Sequence, residues 1–276
     1  MPKMKKRNSI LLSTPYIVWM VIFTLIPLGV VGYYALTDPD TGRFTLDNLS
    51  QLGMYLPVLW QSILYSIISA FICLLLGYPV AYYIAHRGPV AQKILYMLVM
   101  LPMCMSFLLR TLAWVGLLQD TGIINSFLEW SGIGKLPLIR TSGAVILGMV
   151  YNYLPYMILP LYATIVKIDF RLIEAAEDLG CTPAQTFSKV TLPLSMPGIL
   201  SGITMVFVPA VSTFYISQKL GGTDTVLIGD VIERLFKQGN NANLGAALSL
   251  VLMILVFVCT GIMNRFGGDE EGGVIV

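Results

Sequence analysis

The sequence predicts an all-α, polytopic membrane protein with six transmembrane helices, on three observations. Hydrophobic residues occupy 56% of the 276 positions. Charged residues occupy 12%, about half of what a soluble domain uses to cover a water-facing surface. The apolar residues gather into six runs of the length, about 20 residues, that a helix needs to cross a bilayer: 10–36, 59–85, 94–118, 142–166, 194–217 and 244–263. This composition speaks against a cytosolic enzyme, a disordered chain and a nucleic-acid binder. A net charge of +2 is too small to point to a polyanionic partner.

The first run follows Lys3, Lys5, Lys6 and Arg7, as in a signal peptide. Its 27 residues, and the lack of a small-x-small cleavage site near its end, make it a retained span behind a tail of residues 1–9. Orientation follows from the Lys and Arg between the runs. Ten lie on the side of the N-terminal tail and six on the other, with Arg110 inside the third run. Both termini, including the tail 267–276, are therefore expected in the cytoplasm, and residues 10–266 form one membrane domain.

Pro15, Pro27, Pro79, Pro102, Pro155, Pro160, Pro197 and Pro209 interrupt the runs. Proline has no N–H and frees a carbonyl. In a bilayer such breaks persist where neighbouring helices or a wet cavity satisfy the freed group. The pattern favours a moving, cavity-lined bundle over a simple anchor. No internal repeat marks an inverted-repeat carrier.

Cys73, Cys104, Cys181 and Cys259 are widely spaced and read as small packing residues, neither a disulfide framework nor a zinc site. His86 is the one histidine, so no metal site or Ser/His/Asp triad is expected. The phosphate-cradling pattern G-x-x-x-x-G-K-[ST] is absent.

The loop 167–193, between the fourth and fifth runs, carries the most information. Asp169 is placed to cap a helix. Leu172, Ile173, Ala176 and Leu179 make one apolar stripe, and Arg171, Glu174 and Asp178 share the opposite face. Gly180 suits the left-handed position that ends a helix. Thr182, Pro183 and Gln185 then have the spacing of a capping box with proline at the first helical position. The loop is expected to fold as helix, sharp glycine turn, helix, against the cytoplasmic face of the bundle.

Glu174, Ala175 and Ala176, then three residues, Gly180, nine residues, Val190, one residue, Leu192 and Pro193 resemble the E-A-A loop of ABC importer permeases. Only Val190, in place of isoleucine, departs from that pattern. Segments 76–82, 148–162, 214–222 and 227–232 extend the likeness. The chain resembles the first permease subunit of spermidine/putrescine (PotB-type) importers, and permeases for iron, thiamine or small oxyanions share much of the plan. The resemblance implies the type I importer (MetI-like) permease fold in a prokaryotic plasma membrane. It implies that the loop docks in a groove of an ATP-hydrolysing subunit. The implied partners are a second, different permease, two ATP-binding subunits, an extracytoplasmic binding protein and the lipid bilayer, with no nucleic acid. ATP and Mg would be held by the partner ATPase, with no cofactor or metal in this chain and no catalytic residue.

For the path itself, Tyr151, Asn152, Tyr153, Tyr156, Phe214 and Tyr215 offer aromatic and amide groups suited to an extended polycation. No Asp or Glu lies within the six runs. Selectivity is then expected to rest on the binding protein or the second permease. Arg110 reads either as an outer anchor snorkelling to water or as an outer gate. Residues 226–237 read as an amphipathic helix with Asp230–Arg234 and Glu233–Lys237 pairs. Two readings stay open there: a self-paired surface helix, or a docking surface for the binding protein through Asp230 and Glu233. An ion-coupled carrier would be expected to show acids within the runs. An intramembrane enzyme would need paired aspartates or an embedded serine with a base.

Overall fold

The computed structural model describes residues 14–38, 42–237 and 241–267. The basic tail 1–9, the start of the first predicted span and the tail beyond residue 267 lie outside the described residues. The described chain is nearly all helical. Five helical stretches are long and apolar enough to cross a membrane, six when a pair bent by 63° counts as one. It divides into two compact units, one taking in the described residues up to Leu56 together with Val231–Leu255, the other Pro57–Asp230 and the chain from Val256 onward.

In the smaller unit, α1 (Thr14–Ala35) presents an apolar surface that is unburied along its most apolar stretch, with Ala35 at its end the buried exception. That is the surface a helix offers to lipid. A wide turn at Val21–Leu25 lets Ile26 N–H reach Val21 O, five residues back, one residue ahead of Pro27. Ala35 meets Ala246 and Ala247, the small residues that bring membrane helices close. Asn48 donates to Thr37 O at 2.9 Å, and Asn243 donates to the same carbonyl at 2.6 Å.

The larger unit holds the main core. It comprises α2 (Leu56–Ala85), α3 (Pro89–Met100), α4 (Phe107–Leu118), α5 (Ile123–Trp130), α6 (Ser142–Ile165), α7 (Phe170–Asp178), α8 (Pro183–Leu194), α9 (Met196–Val211) and α10 (Tyr215–Leu220). Two further helices, α11 (Ile228–Lys237) and α12 (Ala242–Gly267), complete the described chain. The most extensive helix pair is α6 with α9. It is built on Gly198 and Gly202, four residues apart on one face. A Cβ added at Gly198 would stand 2.6 Å from Thr164 Oγ1 and 3.0 Å from Pro160 O. Tyr65 of α2 donates to Ser142 Oγ at 2.8 Å, and Gly77 of α2 lies against Met157 and Ile158.

Two predicted spans differ from the structure. The run 94–118 is two helices, not one. Pro102 opens a tight 3-10 turn at Leu101–Cys104, and the chain then leaves the helical region at Met105 (φ −86°, ψ 147°) and Ser106 (ψ 131°). The run 194–217 is shorter as a helix: α9 starts at Met196, after a 63° bend from α8 at Ser195, and ends at Val211. Hydropathy continues across the break at Met105 and Ser106, so apolar length alone hides it.

Candidate functional site

The loop between α6 and α9 folds as a two-helix hinge, and each end is set by local chemistry. Asp169 Oδ1 accepts from Arg171 N–H at 3.0 Å and starts α7. Gly180 closes it with φ +84°. Cys181 N–H bonds Ala176 O at 3.0 Å and Gly180 N–H bonds Glu177 O at 2.9 Å. This pair of bonds is the Schellman arrangement, which satisfies the last carbonyls of the helix. Thr182 Oγ1 then accepts from Gln185 N–H at 3.4 Å while Gln185 Oε1 accepts from Thr182 N–H at 2.9 Å. The capping box starts α8 immediately after the turn.

The predicted apolar stripe of α7 splits. Ile173 and Ala176 are buried, but Leu172 is 49% exposed and Leu179 87% exposed. Glu174 and Ala175 are exposed beside them. Periodicity finds an apolar face; it does not show how far the chain's own bundle covers it. Val190 and Leu192 are half-buried and Pro193 exposed. A cleft of about 320 Å³ lies beside the hinge, lined by His86 and Arg87 before α3, Gln92 of α3, Ile165 of α6, Ile173 of α7 and Thr191 of α8, among others.

The α8 segment is attached to α2 by aromatic contacts that the sequence reading missed. Phe187 stands edge-on to Tyr78, ring centroids 5.5 Å apart at 89°, and to Tyr82, 6.2 Å apart at 81°. Tyr78 Oη lies 2.9 Å from Ser195 Oγ, at the α8–α9 bend. An aromatic residue in an otherwise polar loop helix was the available signal. The Gly198–Gly202 spacing was equally visible as a helix-packing pattern.

The six candidate path residues differ in burial. Asn152 and Tyr153 are buried in the core, with Asn152 donating to Gly148 O at 2.9 Å and Tyr153 to Pro209 O at 3.3 Å. Tyr151, Tyr156 and Phe214 are exposed, and Tyr215 is half-buried. Trp114 and Tyr151 pack at 5.4 Å, Phe107 and Tyr215 at 6.3 Å.

Arg110 corrects its expected place. It is 5% exposed, so it neither snorkels to water nor is placed to touch a binding protein. Its Nε and Nη1 have no hydrogen-bond partner. The break at Met105 and Ser106 makes it the fourth residue of α4, not a residue far along one continuous span, and α4 turns it inward. In α11, Asp230 Oδ2 accepts from Leu227 N–H at 2.9 Å and caps the helix start, while Glu233 pairs with Lys237. Leu227, Ile228 and Val231 are buried. Ile228 N–H donates to Ser62 Oγ of α2 at 2.8 Å, so the first turn of α11 is seated on protein. Among the described residues, no group of three or more His, Cys, Asp or Glu stands close enough to hold a metal ion.

A bundle of apolar helices carrying a two-helix hinge on the E-A-A, G, L-P pattern defines a class, the membrane permeases of import systems. Residues 74–267 match the family model of the binding-protein-dependent transport system inner membrane component, and the chain belongs to that family. It is 38% identical over 247 residues to the spermidine/putrescine transport system permease PotB of Escherichia coli K12, covering 86% of this chain and 90% of that one. The PotB protein of Haemophilus influenzae is 39% identical over 247 residues, covering 86% of each chain. Among solved structures, a bacterial ABC transporter that imports the acidic polysaccharide alginate superposes with a TM-score of 0.75 at 21% identity, covering 95% of this chain and 96% of that one. The MetNI methionine ABC transporter, in an inward-facing conformation, gives 0.59 at 19% identity, covering 79% and 96%. These structures establish the type I importer permease fold. The resemblance carried by residues 174–193 is therefore a true family relationship, and the chain is an inner-membrane transport subunit.

Proposed function

We propose that the chain is one of two permease subunits of an ATP-driven importer of spermidine and putrescine. The observation that carries the substrate reading is identity of 38% and 39% to spermidine/putrescine permeases along nearly the whole of both chains. The coupling reading rests on the hinge. Exposed Glu174, Ala175, Leu172 and Leu179 form a small mixed surface on a helix held rigidly by its caps, which is the form of a helix that enters a groove. Glu174 offers charge and Ala175 close approach, while Ala176 faces the chain's own bundle. Gly180 sets the angle between α7 and α8, and Val190, Leu192 and Pro193 carry α8 into the bend at Ser195.

In this reading both termini and the hinge are cytoplasmic. A second, different permease completes the pathway. Two ATP-binding subunits, which hold ATP and Mg, dock on the hinge of each permease. Their closure on ATP moves α7 and α8 together and turns the pathway outward, where a loaded binding protein delivers the polyamine. No Asp or Glu lies in the six apolar runs, so this subunit offers passage more than tight cation binding. Selectivity then falls to the binding protein and the second permease. Tyr151, Tyr156, Phe214 and Tyr215, the open or half-open members of the aromatic set, are the residues assigned to the path.

Uptake of labelled spermidine by the reconstituted importer, with putrescine, a ferric chelate and thiamine as competitors, tests the substrate. Competition by putrescine alone is expected; absence of polyamine uptake defeats the polyamine reading. Gly180→Asp is expected to abolish uptake in a protein that still reaches the membrane, and undiminished uptake defeats the coupling assignment.

A further inference from the structure

We propose that Phe187 is a positioning residue that carries movement of the α7–α8 hinge directly into α2. The inference rests on the importer reading above and adds a second route for motion besides the continuous run from α8 into α9. Tyr78 and Tyr82 are four residues apart, so they stand one above the other on the same face of α2. Phe187 meets both edge-on, at 5.5 Å and 6.2 Å. Edge-to-face rings are held in orientation as well as distance by their quadrupoles. Eight residues further along, Ser195 bonds the hydroxyl of the same Tyr78 at 2.9 Å, in a buried position. The α8 segment is thus fastened to α2 at its middle, through Phe187, and at its C-terminal bend, through Ser195, so that its movement drags Tyr78 and Tyr82.

α2 is built to yield at this point. Pro79 follows Tyr78 inside the helix and has no N–H for the carbonyl of Leu75. On the near side of that gap, Gly77 is seated against Met157 and Ile158 of α6. On the far side, Tyr82 faces Phe187 and stacks at 4.1 Å on His86, whose Nδ1 lies 2.8 Å from Tyr82 O. The hinge therefore grips α2 on both sides of the proline, at Tyr78 just before it and at Tyr82 in the turn after it, while Gly77 seats the preceding part on α6. Displacement of the hinge swings the last turn of α2, and with it the turn into α3.

The test uses the full importer in proteoliposomes, measuring ATP hydrolysis and spermidine uptake on the same preparation. Phe187→Ala is expected to lower substrate moved per ATP by about fivefold or more while hydrolysis stays within about twofold of the parent. Phe187→Tyr, which keeps the ring, is expected to restore the ratio. Tyr82→Ala is expected to match Phe187→Ala, and the double variant to be no worse than either, since both act through one contact. If Phe187→Ala does not assemble, Phe187→Leu keeps bulk without the ring and is expected to lower the ratio. A parental ratio in whichever of these two variants assembles, or multiplicative losses in the double variant, overturns the linkage. A parent complex with no ATP-driven uptake defeats the importer reading instead, so the two failures are distinguishable.

Discussion

Gly198 of α9 lies so close to Thr164 of α6 that a single added Cβ would stand 2.6 Å from the threonine hydroxyl. Inside a bilayer the hydrophobic effect does not drive helices together, and close van der Waals packing carries much of the association. Gly198→Leu is therefore expected to cost about 1–3 kcal/mol or more through overpacking. The measurement is thermal unfolding of the purified permease in detergent. Gly143, which meets nothing nearer than 3.8 Å, is the matched control, and Gly143→Ala is expected to change little.

Gly180 presents the opposite problem. Nothing lies within 4 Å of where its Cβ would be, yet its φ is +84°. Within this chain the cost of an uncharged side chain there is a backbone cost, whereas the charge of Gly180→Asp acts on the docking surface itself. Asparagine tolerates the left-handed region, alanine pays about 1–2 kcal/mol, and a β-branched residue pays more. Uptake is expected to fall in the order Gly180→Asn, Gly180→Ala, Gly180→Val, with similar amounts of protein in the membrane by immunoblot. An order that followed side-chain volume would instead mark a partner surface pressed against this glycine.

What was legible in the sequence was local. Asp169, Gly180, Thr182 and Gln185 act on neighbours within five residues, so their spacing shows their roles before any fold is known. Pro102 marked the third run as interrupted, but the full break at Met105 and Ser106 was not legible, because Cys104 and Phe107 flank it and hydropathy does not register a change of φ and ψ. The inward turn of Arg110 follows from that break and was hidden with it. Phe187 was visible as a residue, but its partners Tyr78 and Tyr82 lie over a hundred positions away and only the fold joins them.

Leu179 stands 87% exposed at the end of α7, beside the glycine turn. In the importer reading proposed above, this side chain belongs to the surface that enters the groove of the ATP-binding subunit. Leu179→Glu is expected to leave the melting temperature of the isolated permease unchanged. It is also expected to weaken its binding to the ATP-binding subunits by about tenfold, the cost of desolvating a carboxylate in an apolar groove being at least about 1.4 kcal/mol. Co-purification at falling concentration, or a direct binding titration, reads both effects. Equal affinity in the variant would place the docking surface elsewhere on the hinge.

Arg110 is a charge without an acceptor for Nε and Nη1, at 5% exposure, in a stretch whose helices carry no carboxylate near it. Elsewhere on α4 and α6, Thr111 donates to Phe107 O at 3.0 Å and Asn152 donates to Gly148 O at 2.9 Å, while the Asn152 Oδ1 is likewise buried without a hydrogen-bond partner. A buried ion whose partners are missing contributes desolvation cost and little attraction, and apolar replacements of similar volume at such positions are commonly neutral or stabilising by about 1–4 kcal/mol. Arg110→Met is therefore expected to hold or raise the melting temperature of the isolated permease, followed by tryptophan fluorescence. Repeating the measurement on the assembled importer separates two origins for the residue. A rise in both places makes Arg110 a local cost, retained for transport and not for folding. A rise in the isolated chain with a fall in the assembly shows that a second subunit supplies the missing acceptor.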